Sequence, residues 1–224
     1  MPTLTYHGHS CFQLQTGKYN LIIDPFITGN PVCKIKSGDV KADYIILTHA
    51  HEDHFGDTIE LAKSNNATVI AVHELANYIS SEGCTAHGMG IGGQWNFPFG
   101  RIKYTIAHHS SSFGGAYMGD PAGVIITTEG KSIYHAGDTS LFLDMKLIGD
   151  ITPLDLAILP IGDNYTMGVD DAVKAVEFLN PKQTVPCHYN TWELIKADAN
   201  EFKRKVESIG KNCSIMNPED TLEI

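Results

Sequence analysis

Apolar and polar positions follow two rhythms along this chain. Short runs that alternate with period two, or stay apolar throughout, are bounded by Gly, Asn or Asp. They predict strands at residues 4–7, 11–15, 20–24, 44–48 and 68–72. Helical spacing takes over at 57–64 and 74–81, each shortly after an acidic residue or a loop. The second half predicts strands at 102–107, 123–128, 132–135, 156–160, 184–186 and 214–216, and helices at 141–148, 170–179 and 198–209. Residues 170–179 have apolar positions at helical period, with Asp170 and Asp171 at the end where the helix dipole favours acids. Each half runs from strands into strand–helix alternation. That order predicts an α/β chain in which two sheets pack face to face with helices outside. No Pro/Gly/Ser-rich linker interrupts it, so residues 1–224 are expected to form a single domain.

Composition narrows the function classes. Of 224 residues, 42% are hydrophobic and 19% charged, enough apolar material for a core that offsets chain entropy. The longest apolar runs, at 44–47 and 124–126, are too short for a bilayer, so no membrane partner is expected. The opening residues show neither a basic region nor an apolar signal segment, and a cytoplasmic location is the expectation. Sixteen Lys and Arg face 26 Asp and Glu, and Arg101 and Arg204 are the only arginines. Without basic clusters to neutralise phosphates, nucleic acid is not an expected partner; a small-molecule substrate is. Five scattered cysteines with no C-x-x-C read as free thiols in a reducing compartment.

Histidine changes the picture. Three of the 11 histidines fall in Thr48-His49-Ala50-His51-Glu52-Asp53-His54, directly after an apolar run. In extended backbone His49, His51 and Asp53 share one side, with His54 turning inward as a helix begins and Glu52 pointing out. A His-rich surface loop is the bland alternative. Three imidazoles and a carboxylate delivered to one place favour metal binding over it, and suit Zn, Mn, Fe or Ni.

These residues match the H-x-H-x-D-H motif at every specified position, and the chain resembles the metallo-β-lactamase superfamily. His109, Asp138 and His188 follow in that superfamily's order, each at the end of a predicted strand. The opening Tyr6-His7-Gly8-His9-Ser10 and the stretch Leu159-Pro160-Ile161-Gly162-Asp163-Asn164 resemble the short metal-dependent hydrolases related to ascorbate-6-phosphate lactonase. The resemblance spans Tyr6 to about Thr191. It implies a four-layer αββα sandwich with a metal site at one edge between the sheets. It further implies two divalent ions, zinc first and Mn, Ni or Fe as alternatives. His49, His51 and His109 would hold one, and Asp53, His54 and His188 the other, with Asp138 and a hydroxide bridging. Many relatives associate, so a homo-oligomer is expected.

Two divalent ions, two aspartates and a hydroxide would leave such a site near +1, attractive to small anionic or polarised substrates. The expected reaction is hydrolysis of an ester, lactone or phosphodiester, with Asp53 as the candidate catalytic residue handling the proton. Two rivals stand beside it. Diiron oxygen chemistry puts Glu where this chain has His51, but mononuclear sulfur dioxygenases keep His there. A non-catalytic metal-binding module conflicts with the complete ligand set.

The family pattern selects His109 over His108, leaving His108 to packing. His7 and His9 share parity and are both expected to face the site, with His9, in the family's G-H-S motif, supporting it or touching substrate. His135 ends a strand and is expected to orient Asp138. Asp24 either bonds a metal-binding imidazole or is a plain turn residue ahead of Pro25. Cys187, beside His188, is expected in the core, while His73 and His87 carry no motif. The loops at 110–115 and 161–168 are expected to shape the substrate pocket, the first through its flexibility.

Overall fold

A computed structural model describes residues 1–224. The chain opens with β1 (Thr3–Gly8), β2 (Cys11–Thr16), β3 (Tyr19–Ile23) and β4 (Tyr44–Ile46). There follow α1 (Glu52–Phe55), α2 (Thr58–Asn65), β5 (Thr68–Val72), α3 (His73–Ser81) and β6 (Ala86–Met89). The second half holds β7 (Gln94–Phe97), β8 (Gly100–Ile106), the small hairpin β9 (Ser112–Phe113) and β10 (Ala116–Tyr117), β11 (Ala122–Thr128) and β12 (Lys131–His135). Then come α4 (Met145–Ile151), β13 (Leu156–Pro160), α5 (Val169–Leu179), β14 (Gln183–Cys187), α6 (Ala199–Ser208) and β15 (Thr221–Glu223).

Two sheets result, ordered β15-β1-β2-β3-β4-β5-β6 and β14-β13-β12-β11-β8-β7. Each passes from antiparallel to parallel pairing. In the first sheet β1, β2 and β3 are antiparallel while β3, β4, β5 and β6 run parallel. In the second, β8, β11 and β12 are antiparallel and β12, β13 and β14 parallel. The duplicated order expected from the chain is therefore visible in topology.

Burial follows the strand alternation. Leu4, Leu14, Leu21, Ile23, Ile45, Ile102, Val124, Ile133, Ile158 and Val185 belong to one core that joins both sheets and takes in α2 and α3. The opposite face of the second sheet, through Ile125, Tyr134, Ala157 and Leu159, packs on α4, α5 and α6. In α5 the buried residues are Ala172, Ala175, Val176 and Leu179, the spacing of one helical face. Asn180 in the left-handed region ends that helix. The outcome is the four-layer αββα arrangement. No helix is long and apolar enough to cross a membrane.

Two expected elements are displaced. The helix expected at 141–148 runs instead from Met145 to Ile151, because Phe142 leaves the approach to it to pack on His108, with ring centroids 5.1 Å apart. The strand expected at 214–216 shrinks to one bridge between Thr184 and Cys213. Thr184 donates to Asn212 and accepts from Ser214 there, and the next donor on that edge would be Pro186, which has no N–H. The short segments β6, β7, β9, β10 and β15 and the single turn α1 carry too few residues for a legible period.

One buried strut ties the layers. Tyr104 of β8 is fully buried, and its hydroxyl donates to the Leu47 carbonyl at 2.8 Å, with the Ile70 carbonyl at 3.0 Å. Ile70 already accepts from the Leu47 N–H, so the Leu47 carbonyl depends on the phenol. Tyr104→Phe is expected to destabilise the protein by about 1–3 kcal/mol, the cost of an unsatisfied buried carbonyl. Guanidinium unfolding checks it as a lowered midpoint at unchanged slope.

Candidate metal centre

Loops leaving the C-terminal ends of the parallel strands meet at one edge of the sandwich. Asp24 follows β3, His49 to His54 follow β4, Asp138 follows β12 and His188 follows β14. His109 arrives from the loop after β8. Open α/β sheets present ligands at this end of their strands.

The local geometry of the H-x-H-x-D-H segment differs from a continued strand. β4 stops at Ile46, and His51 caps α1, so Asp53 and His54 sit in the first helical turn. His49 and His51 converge from the loop, and Asp53 and His54 converge because the helix winds them back. Glu52 is exposed as expected. His49 Nε2 lies 3.0 Å from His51 Nδ1, and His109 completes a cluster with both. His54 Nε2 lies 3.2 Å from Asp138 Oδ1, and His188 Nε2 lies 3.0 Å from Asp138 Oδ2. His109 Nε2 approaches the same Asp138 Oδ2 at 3.6 Å, so Asp138 stands between the two groups. Asp53 and His188 close the second group, 3.7 Å apart. All seven residues expected as ligands are thus brought together.

Asp24 is more than a turn residue. It is fully buried, and its carboxylate accepts from the Thr48 N–H at 2.8 Å, the Thr48 hydroxyl at 2.6 Å and His54 Nδ1 at 2.7 Å. With its proton given to Asp24, the Thr48 oxygen can accept from His49 Nδ1, 3.0 Å away. One carboxylate thereby fixes two imidazoles with Nδ1 protonated and Nε2 turned to the centre. Thr48 was not singled out by any pattern; only its place directly before His49 hints at it.

His9 also reaches the site. It is fully buried, its Nε2 lies 3.1 Å from Asp53 Oδ2, and its Nδ1 lies 2.8 Å from the Thr191 hydroxyl. Its carbonyl accepts from the His188 N–H at 2.8 Å. His7 does not join it, contrary to the shared-parity expectation. The β1–β2 register shifts between Tyr6 and Gly8, and Gly8 and His9 both take positive φ, so alternation breaks between the two histidines. His7 instead meets Glu219 at 2.9 Å and Gln13 at 3.3 Å.

Other residues fall as follows. His108 is exposed against Phe142, outside the cluster. His135 accepts the Gly137 N–H at 3.0 Å through Nδ1 and so braces the turn that delivers Asp138. A Cβ on Gly137, at φ +62°, would lie 2.8 Å from the Ala122 carbonyl oxygen, which only glycine avoids. Cys187 is buried in the core, and His73 and His87 lie away from the site. The 110–115 loop is not loose. It forms the β9–β10 hairpin, with Ser111 Oγ accepting from the Ala50 N–H and Phe113 packed on Phe55.

The carboxylates draw protons onto His54 and His188, which a bound cation would displace. Burial alone would push the His54 and His188 imidazoles toward the neutral form, yet Asp138, joined by Asp24 at His54 and by Asp53 at His188, outweighs it, holding His54 well above the usual range and His188 at about 9. Burial would likewise raise Asp138, but the His188 and His54 charges hold it well below the usual carboxylate range. Asp53 is also held low, against burial, by His188, His54 and His9. Burial lowers His49, His51 and His109, keeping them neutral and able to donate lone pairs. His9 is lowered to about 4 by burial first and then by the His188 charge. Buried His54 Nε2, His188 Nε2 and Asp138 Oδ1 have no aligned hydrogen-bond partner, although they lie within contact of one another. Such atoms aimed at a shared point fit a divalent ion, which both imidazole and carboxylate can ligate.

Above this floor opens a cavity of about 460 Å³, walled by Ser110, Tyr165 and Trp192. Tyr165 comes from the 161–168 loop, as expected; Trp192, four residues beyond His188, carried no signal. Its size suits a small molecule.

The chain is similar to known proteins over most of its length. The model of the beta-lactamase superfamily domain matches residues 19–189. A UPF0173 metal-dependent hydrolase of Anoxybacillus flavithermus is 51% identical over 213 residues, covering 93% of this chain and 95% of that protein. One from Bacillus cereus is 50% identical over 217 residues, covering 94% of each. Among solved structures, Igni18, a metallo hydrolase from the archaeon Ignicoccus hospitalis, superposes with a TM-score of 0.93 at 40% identity, covering 100% of this chain and 99% of that one. The chain belongs to the metallo-β-lactamase superfamily, among the metal-dependent hydrolases of the UPF0173 group.

Proposed function

We propose that this hydrolase holds two divalent ions and cleaves an ester, lactone or phosphodiester bond of a small substrate. The observation that carries the reading is the pair of donor groups joined by Asp138, whose Oδ2 lies 3.6 Å from His109 Nε2 of one group and 3.0 Å from His188 Nε2 of the other, with Oδ1 3.2 Å from His54 Nε2. His49, His51 and His109 would hold one ion, and Asp53, His54 and His188 the second, with Asp138 shared. Held by these residues, divalent ions would supply polarisation of the scissile group and a bound water with a pKa of about 7. The chain's own residues do the rest. Asp24 and Thr48 keep His49 and His54 oriented, and His9 fixes one oxygen of Asp53. That carboxylate lies at the pocket floor, where it can take and return a proton during turnover. Zinc suits the imidazole-rich set best, with Mn, Ni and Fe as alternatives.

Metal analysis of protein purified without added metal is expected to find about two ions per chain, with turnover of bis-p-nitrophenyl phosphate or a member of a lactone panel. His54→Ala is expected to remove one ion and the activity together. A single iron without hydrolysis would overturn the reading in favour of oxygen chemistry.

Asp24 yields a separate expectation. Asp24→Asn leaves the volume intact but can present an amide N–H where His54 Nδ1 and Thr48 both need an acceptor. Metal affinity and activity are expected to fall about 10–100-fold, as for other residues that orient metal-binding histidines. Isothermal titration of the metal-free protein with zinc measures it, and an unchanged affinity would remove Asp24 from the site.

A further inference from the structure

The walls of the cavity differ in kind from its floor. No Lys or Arg lines it; beyond the donor residues the walls are Ser110, Tyr165 and Trp192. The two aromatic rings come from separate loops, and each is held for display. Trp192 is half-buried, tilted on the His9 ring at 5.0 Å and edge-on to Phe26 at 6.3 Å. Tyr165 sits at the tip of a tight turn in which Asp163 and Asn164 take positive φ, the Thr166 N–H bonds the Asp163 carbonyl at 2.9 Å, and the Asp163 N–H bonds Met167 at 3.0 Å. Tyr165 is 51% exposed and lines the cavity.

The surroundings of that turn are acidic. Asp163, two residues from Tyr165, lines a neighbouring cavity with Asp170, Asp171, Asp198 and Glu201. The two lysines there are already paired: Lys196 with Glu193 at 2.6 Å, and Lys205 with Asp170 at 2.6 Å and Glu201 at 2.7 Å. A second anionic group on a substrate, reaching away from the metal centre past Tyr165, would meet more carboxylates than cations, Asp163 and Asp171 among them.

We propose that the substrate carries an uncharged planar ring beside the scissile bond, held against Trp192 and Tyr165, and no second anionic group. An aryl or heteroaryl ester or phosphodiester fits; a sugar phosphate or phosphorylated lactone does not. This rests on the metal-dependent hydrolase reading above. In the reaction water adds across the P–O or C–O bond to the ring-bearing oxygen. Its hydroxyl joins the acid, and its proton ends on the departing oxygen.

Phosphonates test this without the chemistry. Trp95→Phe leaves Trp192 as the single tryptophan, so binding to the metal-loaded protein can be read as fluorescence quenching. Phenylphosphonate is expected to quench Trp192 and bind about tenfold more tightly than methylphosphonate, the gain of one aromatic contact. 1,4-Benzenebisphosphonate, with its distal charge, is expected to bind more weakly than phenylphosphonate. Competition against bis-p-nitrophenyl phosphate gives the same ratios for Trp192→Leu and Tyr165→Leu, in which the phenyl-over-methyl preference is expected to fall toward unity, while Trp192→Phe keeps most of it. Tyr165, exposed on its loop, keeps the test valid if the tryptophan variant fails to fold. Equal binding of phenyl and methyl, a preference unchanged in the Tyr165 variant, or tighter binding of the bisphosphonate would overturn the proposal. Phosphonate binding with no turnover of any ester would instead count against the hydrolase reading and leave the ring preference standing.

Discussion

A carboxylate cut off from water must be surrounded by donors, and at Asp24 that requirement organises the site. Its three donors, the Thr48 N–H, the Thr48 hydroxyl and His54 Nδ1, all come from the segment after β4, so satisfying one charge pins that segment against the end of β3. An unpaired buried carboxylate would cost several kcal/mol, which makes alternatives to this arrangement expensive. The same three bonds settle the protonated nitrogen of His54 and, through the Thr48 oxygen, of His49. Position and tautomer are thus set by one group that lies behind the donors rather than among them.

The backbone bears part of the cost. Asp24, His9 and His188 all take positive φ, at 46°, 59° and 52°, a region that Asp and His enter more readily than most residues but still at some expense. Each stands at the C-terminal end of a strand or in a tight turn where the chain must swing its side chain into the cleft. The strain is held by neighbours: the His188 N–H bonds the His9 carbonyl, linking the opening hairpin of the first sheet to the last strand of the second. Gly162 makes room for the His188 carbonyl, since a Cβ there would stand 2.1 Å from its oxygen.

These relations explain what could be read from the chain and what could not. Residues 68–72, 156–160 and 170–179 were legible because burial on a full sheet face or helix stripe imposes a regular period, and β5 and β13 match residue for residue. Of the seven clustered donors, His49, His51, Asp53 and His54 were legible because metal chemistry needs such residue types close together, whereas His109, Asp138 and His188 were legible only through the resemblance to the metallo-β-lactamase superfamily. Thr48 and Trp192 were not, because hydroxyls and aromatic rings serve many purposes and their role here depends on contacts between distant segments. The shared parity of His7 and His9 misled for a related reason: period two holds only along an unbroken strand, and the bulge at Gly8 lies between them. Pro186 shows the reverse. Its missing N–H is plain in the chain, but that it truncates pairing with residues 214–216 emerges only once Thr184 is known to face that edge.

The cleft therefore divides its labour by physical type. Donor atoms must hold positions to within tenths of an ångström, and they sit just past strand ends and in the first turn of α1, where side-chain hydrogen bonds such as those of Asp24, Thr48 and His9 restrict several of them. Walls need shape rather than exact distance, and they come from the β9–β10 side, the Tyr165 turn and the segment after β14. A change at Tyr165 moves no donor, while a change at Asp24 moves two. Trp192 stands between these regimes, because its ring rests on His9, which itself holds Asp53. Whatever presses on Trp192 from the cavity is one side-chain contact and one hydrogen bond away from the Asp53 carboxylate. Through that short path a ligand against the wall can bear on the geometry of the floor.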